Sequence, residues 1–245
     1  MKKEEHVPAP DTIRLNKFVA NAGICARRKA DVFIANGHVT VNDTVVKEMG
    51  YRVKPNDVVK FDGTEINVTT TFVYFLMNKP KNTITTAHDD RGRKTVMDLL
   101  QNATTDRIYP VGRLDRETTG LLLLTNDGQL AKKLSHPSHN VKKVYQVELD
   151  KPLAKRHFDA IKSGITLEDG PVPVDAIHYL SDSHIIGVEI HIGRNRIVRR
   201  IFEHFDYKVM KLDRVYYGGL TKKDLPRGRY RPLKEKEVIM LKHFT

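Results

Sequence analysis

A single stretch, residues 112–128, constrains this chain more than any other. It runs Gly112, Arg113, Leu114, Asp115, Arg116, Glu117, Thr118, Thr119 and Gly120, then four consecutive leucines, then Thr125, Asn126, Asp127 and Gly128. Leu121, Leu122, Leu123, Leu124 and Thr125 read as a buried strand. Asn126-Asp127-Gly128 is a turn signal that ends it. Just ahead of the strand sits an acid, Asp115, between Arg113 and Arg116. Apolar walls raise a carboxylate's pKa and neighbouring guanidinium groups lower it. An ionised carboxylate at the edge of a core, in a basic chain, suits a nucleophile or base acting on a polyanion. A surface Asp paired with a neighbouring Arg would give the same spacing.

Charge points to the partner. The 245 residues carry a net charge of +12, and 40% are hydrophobic, enough for a core. That balance fits nucleic acid or an anionic membrane surface. No apolar run approaches the roughly 18 residues of a spanning helix. Residues 1–10 are charged and lack a signal-peptide core, so the cytoplasm is the expected location. Cys25 is the only cysteine, which excludes an internal disulfide and a cysteine-based zinc site. His136 and His139 flank Pro137, which disfavours helical metal-ligand spacing, so no metal is expected there.

Composition divides the chain into a mobile tail (1–10), a small module (11–68) and a larger domain (72–245), with a threonine-rich linker over 66–71. In the module, Leu15, Phe18, Val19 and Ala22 fall at helical spacing, and a second helix fits 26–35. Hairpin strands follow from Val39. The result is an ααβββ unit. Arg27, Arg28 and Lys29 open the second helix, where cations oppose the helix dipole, which suggests phosphate binding. In the larger domain, residues 72–77 read as a strand buried on both faces, ended by Asn78-Lys79-Pro80-Lys81. Further strands fit 145–149 and 184–192, a helix fits 153–163, and 168–171 is a turn. Strands dominate without a regular βαβ rhythm, so the domain is expected to be α+β, built on a mixed, mainly antiparallel sheet.

A second basic constellation spans 193–205. Ile197, Val198, Ile201, Phe202 and Phe205 form an apolar helical stripe. Arg196, Arg199 and Arg200 are expected on the opposite face. Arginine gives bidentate contacts to phosphate or carboxylate.

These residues carry a resemblance. Arg113-Leu114-Asp115 with the run 118–128 resembles the catalytic signature of pseudouridine synthases, in the branch that modifies ribosomal RNA. The resemblance implies that Asp115 is the catalytic residue. Lys143-Val144-Tyr145 resembles the family's Lys-x-Tyr motif, which makes Tyr145 the residue that stacks on the flipped base. The run from Gly193 to Arg200 resembles the family's third motif and implies that Arg199 pairs with Asp115. Arg194, Asn195, Arg196 and Arg200 would then hold RNA. Ile197 stands where the family has Gln, and Ile192 where it has Glu. Lys211-Leu212-Asp213-Arg214 resembles the closing motif, with Leu212 packing under the base. Arg91 and Arg93 lie in a loop typical of the family and, with Arg113, are expected to grip phosphates.

The pattern from Arg14 and Lys17 through Arg27, Arg28 and Lys29 resembles the alpha-L RNA-binding module, with Ala26 where Ser is usual. Together these imply an rRNA pseudouridine synthase, acting as a monomer on ribosomal RNA, with large-subunit RNA favoured by 121–128, 136–138 and 225–233. Uridine and its product are isomers, so no cofactor is needed. A non-catalytic ribosome-assembly factor would use the same basic surfaces but would not require Asp115, Tyr145 and Arg199 together.

Overall fold

A computed structural model describes residues 12–68, 71–100 and 103–243. The expected tail, 1–10, lies outside the described residues, as do positions 69–70 of the expected linker. Internal contacts divide the chain between Phe72 and Val73 into two units.

The first unit contains β1 (Ile13–Arg14), α1 (Leu15–Asn21), α2 (Arg27–Ala35), β2 (Val39–Val41), β3 (Thr44–Val45), β4 (Arg52–Val53), β5 (Val59–Phe61) and β6 (Thr64–Glu65). The helical spacing does its work here: Leu15, Val19, Ala30 and Ile34 are buried against Val39, Val41 and Val59. Strands β3-β2-β5-β6 form one sheet, and β1 pairs with β4. The unit thus has six short strands where the sequence suggested three. Two-residue strands are shorter than any periodicity that a sequence can display. Ala26 caps α2 in an extended conformation with no side-chain hydrogen bond. A serine there would have satisfied a backbone N–H.

The second unit begins with β7 (Tyr74–Lys79), β8 (Tyr109–Pro110), β9 (Thr119–Thr125), α3 (Gly128–Ser135) and β10 (Lys143–Leu149). It continues with α4 (Lys155–Lys162), β11 (Ile165–Leu167), β12 (Gly170–Val172), β13 (Ala176–Tyr179), β14 (Ile185–Ile190) and α5 (Ile197–Glu203). It ends with β15 (Val209–Tyr217), β16 (Leu220–Thr221), β17 (Tyr230–Pro232) and α6 (Glu235–Lys242). A nine-stranded sheet runs β13-β14-β10-β15-β9-β7-β17, with β16 on β15 and β8 on β9. Every ladder in it is antiparallel except β9 with β15. The domain is therefore α+β on a mixed, mainly antiparallel sheet, as the strand-rich pattern indicated.

The leucine run explains itself in this position. Side chains alternate across a strand. Leu122 and Leu124 enter a core with Tyr145, Val147, Ile186 and Phe202 on one face. Leu121 and Leu123 enter a second core with Leu130, Leu134, Tyr217 and Leu241 on the other. A strand covered on both faces has to be apolar throughout. Asp127 ends it and accepts hydrogen bonds from the N–H groups of Gln129 and Leu130, capping α3.

One boundary moves. Asn78 and Lys79 continue β7, pairing with Leu121 and Gly120, rather than ending it. Lys79 is fully buried, yet its Nζ donates to the carbonyls of Thr118 (2.8 Å), Pro80 (3.0 Å) and Arg116 (3.3 Å). Those acceptors make burial tolerable.

Burial brings the Lys79 and Lys143 ammonium groups down to about 8. Their unfolded counterparts titrate at ~10.4. Between these values the unfolded chain binds more protons, so stability rises with pH. We expect the urea midpoint to be higher at pH 9.5 than at pH 7.5, by on the order of 1–3 kcal/mol of stability. Tyrosine ionisation opposes this only above pH ~10. A midpoint that falls over this interval would contradict the buried-lysine assignment.

Candidate active site

The sheet order places the site. Strands β10, β15 and β9 are neighbours. Tyr145 on β10 is registered with Arg214 on β15, and Val147 with Leu212. On the far side Arg214 is registered with Gly120 of β9. The loop before β9 carries Asp115. These three strands thus bring Tyr145, Leu212, Arg214 and Asp115 to one cavity of about 270 Å³, which Lys143 and Arg196 also line.

The Asp115 loop is held on both sides. Thr85 Oγ1 donates to the Leu114 carbonyl (2.7 Å) and accepts from the Leu114 N–H (3.2 Å). Thr118 N–H donates back to the Asp115 carbonyl at 3.0 Å. Lys79 fastens the carbonyls of Arg116 and Thr118, as above. Backbone anchors of this kind fix a side chain at the geometry that chemistry needs. The Asp115 side chain is 38% exposed, open to a substrate entering the cavity. Tyr145 and Leu212 are buried and form part of the cavity wall. Arg214 is buried too, its Nε donating to the Leu121 carbonyl at 2.8 Å and its guanidinium lying 4.5 Å from the Tyr217 ring centre.

The cation beside Asp115 is Arg196, whose guanidinium lies 3.8 Å from the carboxylate. This corrects the expectation that Arg199 pairs directly with Asp115. Arg113 and Arg116 flank Asp115 in sequence but make no ion pair with it among the described residues; Arg116 reaches Glu117 instead at 3.9 Å, and Arg113 stands exposed at the cavity wall. Arg199 is not the direct partner either. It is buried with Val198 and Phe202, lies behind the cavity wall, and donates to the Val209 carbonyl at 2.9 Å. It therefore leaves the polar face that helical spacing assigned to it. Burial pulls its pKa down, Arg196 adds to that, and the Asp115 charge acts in the opposite sense. Asp115 thus feels two guanidinium charges, one in contact and one through the wall.

The family follows from comparison. The model of the RNA pseudouridylate synthase family matches residues 73–204, more than half the chain, and that of the S4 domain matches 13–59. The chain belongs to the RNA pseudouridylate synthase family. It is 42% identical to the ribosomal large subunit pseudouridine synthase B of Bacillus subtilis, over 94% of this chain and 95% of that one. It is 33% identical to the dual-specificity RNA pseudouridine synthase RluF of Escherichia coli, over 95% of this chain and 79% of that one. A crystal structure of a pseudouridylate synthase superposes with a TM-score of 0.68 at 29% identity, covering 94% of this chain and 99% of the other.

Measured against the sequence of this synthase, the basic residues divide into two groups. In the S4 unit Arg14, Arg27, Arg28 and Lys29 are exposed and Lys17 is half-buried. Arg27 also reaches the Asn16 side chain, and Lys29 lies over the Phe33 ring at 5.4 Å. In the larger unit several arginines expected on RNA are engaged internally. Arg93 grips Asp89 at 2.6 Å, which holds that carboxyl down at about 2, while Arg91 is exposed. Arg200 forms a bidentate pair with Asp169 (2.6 and 2.9 Å). Arg194 donates to the carbonyls of Asp169, Gly170 and Pro171. Asn195 is exposed. Among the described residues no cluster of three metal-ligating side chains occurs, and no helix is long and apolar enough to cross a membrane.

Sequence reading missed Lys79, Thr85 and Lys143. Lys79 was hidden by its position after a strand, and Thr85 by a loop without pattern. Lys143 opens the Lys-x-Tyr motif, and the tyrosine drew the attention.

Proposed function

We propose that this synthase isomerises a specific uridine of ribosomal RNA, in the large subunit, with Asp115 as its catalytic residue. The observation that carries the proposal is the convergence of Asp115, Tyr145 and Leu212 on one cavity with a guanidinium beside the carboxylate. The Bacillus subtilis and Pseudomonas aeruginosa relatives that carry the large-subunit name support the choice of subunit.

The reaction breaks the C1′–N1 bond, turns the uracil and forms a C1′–C5 bond. The C5 hydrogen leaves as a proton and N1 gains one, so atoms balance without a cofactor. The uridine has to leave its stack for C1′ to reach Asp115. Asp115 then serves either as the nucleophile at C1′ or as the base that removes a ribose proton. Tyr145 stacks on the extruded base and Leu212 packs under it. Arg196, 3.8 Å from the carboxylate, and Arg199 behind the wall place two positive charges near it. Arg14, Lys17, Arg27, Arg28 and Lys29 of the S4 unit hold phosphates, as do Arg91 and Arg113 of the larger unit.

The test is release of tritium from a large-subunit RNA fragment labelled at uracil C5. Release that is stoichiometric with one uridine is the expected result, and none from any ribosomal RNA would refute the reading. A second outcome checks the division of labour. Arg27→Ala with Arg28→Ala should weaken RNA binding and leave the rate at saturating RNA near that of the parent. Each lost phosphate contact should shallow the log–log salt dependence of affinity by roughly one unit. A loss of saturating rate equal to the loss of affinity would refute that division.

A further inference from the structure

Arg196 is held in an unusual way. It is a non-glycine residue in the left-handed region, φ 48° and ψ 29°, at the residue that caps the start of α5. That conformation is uncommon for a side-chain-bearing residue and persists only where the surroundings enforce it. The Arg196 side chain makes no capping hydrogen bond to the first turn of α5 and donates to Glu203 at 3.3 Å instead. What brackets it is the hairpin of β11 and β12. Two residues before Arg196, Arg194 donates to three hairpin carbonyls, at 3.0 Å (Asp169), 3.2 Å (Gly170) and 2.9 Å (Pro171). Four residues after it, Arg200 grips the Asp169 carboxylate with both nitrogens and also donates to the Asn195 carbonyl at 3.3 Å. The hairpin itself is rooted in the core by Ile165 and Val172.

We infer that Asp169 is a positioning residue for the isomerisation: by clamping Arg200, with Arg194 fixed beside it, it sets the loop 193–196 so that Arg196 meets Asp115. The inference rests on the reading of Asp115 given above. Arg200 keeps the Asp169 carboxyl down at about 2, so the clamp is ionised throughout the range in which the enzyme would be assayed. Asp169 is exposed enough to read as a solvated turn residue, with 43% of its side chain accessible. A bidentate guanidinium–carboxylate pair nevertheless fixes orientation as well as distance. Misplacing a catalytic group by about 1 Å costs on the order of 100-fold in rate.

Asp169→Asn tests this in the full chain, because it removes the charge and one bidentate acceptor while leaving the backbone carbonyl for Arg194. The saturating single-turnover rate should fall about 10- to 100-fold with RNA affinity changed less than about threefold. Asp169→Glu should recover part of the rate. Combined with Arg196→Gln, Asp169→Asn should cost nothing further, since both act through one contact. Losses that multiply in the double variant would overturn the inference. So would tighter RNA binding at an unchanged rate, which would make Asp169 a competitor for phosphate. Amide hydrogen exchange of residues 193–197 gives a readout independent of any substrate. It should quicken in Asp169→Asn while that of β9 and β10 is unchanged. Unchanged exchange at 193–197 would overturn the inference even if no RNA substrate were found, and a wild-type chain inactive on all ribosomal RNA would instead refute the functional reading.

Discussion

Asp115→Asn is expected to lower pseudouridine formation by ~10³-fold or more, equivalent to about 4 kcal/mol of barrier, while RNA affinity stays within a few fold. The substitution keeps the size of the side chain and removes the charged oxygen. Neither nucleophilic attack at C1′ nor proton removal from ribose survives that change. The surrounding structure gives no reason for collapse. The loop is held by the Thr85 hydroxyl at Leu114 and by the Lys79 ammonium at Arg116 and Thr118, in each case at backbone atoms of the loop. Arg196 retains Glu203 at 3.3 Å as a partner. Filter binding and single-turnover kinetics on the same RNA fragment separate the two effects. A variant that isomerises at near the parental rate would place the chemistry elsewhere.

Gly120→Ala is expected to destabilise the larger unit by about 3–5 kcal/mol. Gly120 takes φ 106° in the middle of the β9–β15 junction. An added Cβ would lie 2.3 Å from the Arg214 carbonyl oxygen, 2.5 Å from its nitrogen and 2.6 Å from the Asp213 carboxylate. Two of those three are backbone, so no rotamer change relieves the clash. Asp213 is itself fixed, by Lys222, by Arg227 and by the Thr119 hydroxyl at 2.9 Å. The strand has to move, and with it the only parallel ladder of the sheet, Thr119 with Asp213 and Gly120 with Arg214. For a unit of this size the melting temperature should drop by roughly 6–20 °C. Gly193→Ala is the comparison, since nothing lies within 4 Å of its Cβ position, and it should stay within about 1 kcal/mol of the parent. Equal melting temperatures for the two variants would contradict the close approach at Gly120.

The Asp115 loop and the buried strand after it were legible in the sequence because both are local. The four leucines announce a strand covered on two faces, and Asp127 with Gly128 announces its end. The helices of the S4 unit were legible for the same reason. What was illegible depended on partners remote in sequence. Arg113 and Arg116 sit beside Asp115 along the chain, yet Arg196 reaches it from another element. Arg199 violates the amphipathic pattern of α5 because the Val209 carbonyl gives its guanidinium an acceptor inside the protein. Lys79 looked like a strand terminator because the two carbonyl acceptors that the Asp115 loop gives it, at Arg116 and Thr118, cannot be foreseen from a Lys-Pro pair. Arg194 and Arg200 looked like RNA ligands because Asp169, which holds them, reads as an ordinary turn residue.

The most direct test of the account maps pseudouridine at nucleotide resolution in large-subunit ribosomal RNA from cells with and without this protein. The account predicts that one pseudouridine disappears in its absence and returns with the wild-type chain but not with Asp115→Asn. A map that is unchanged by removal of the protein, or restored equally by the Asp115→Asn chain, would contradict it.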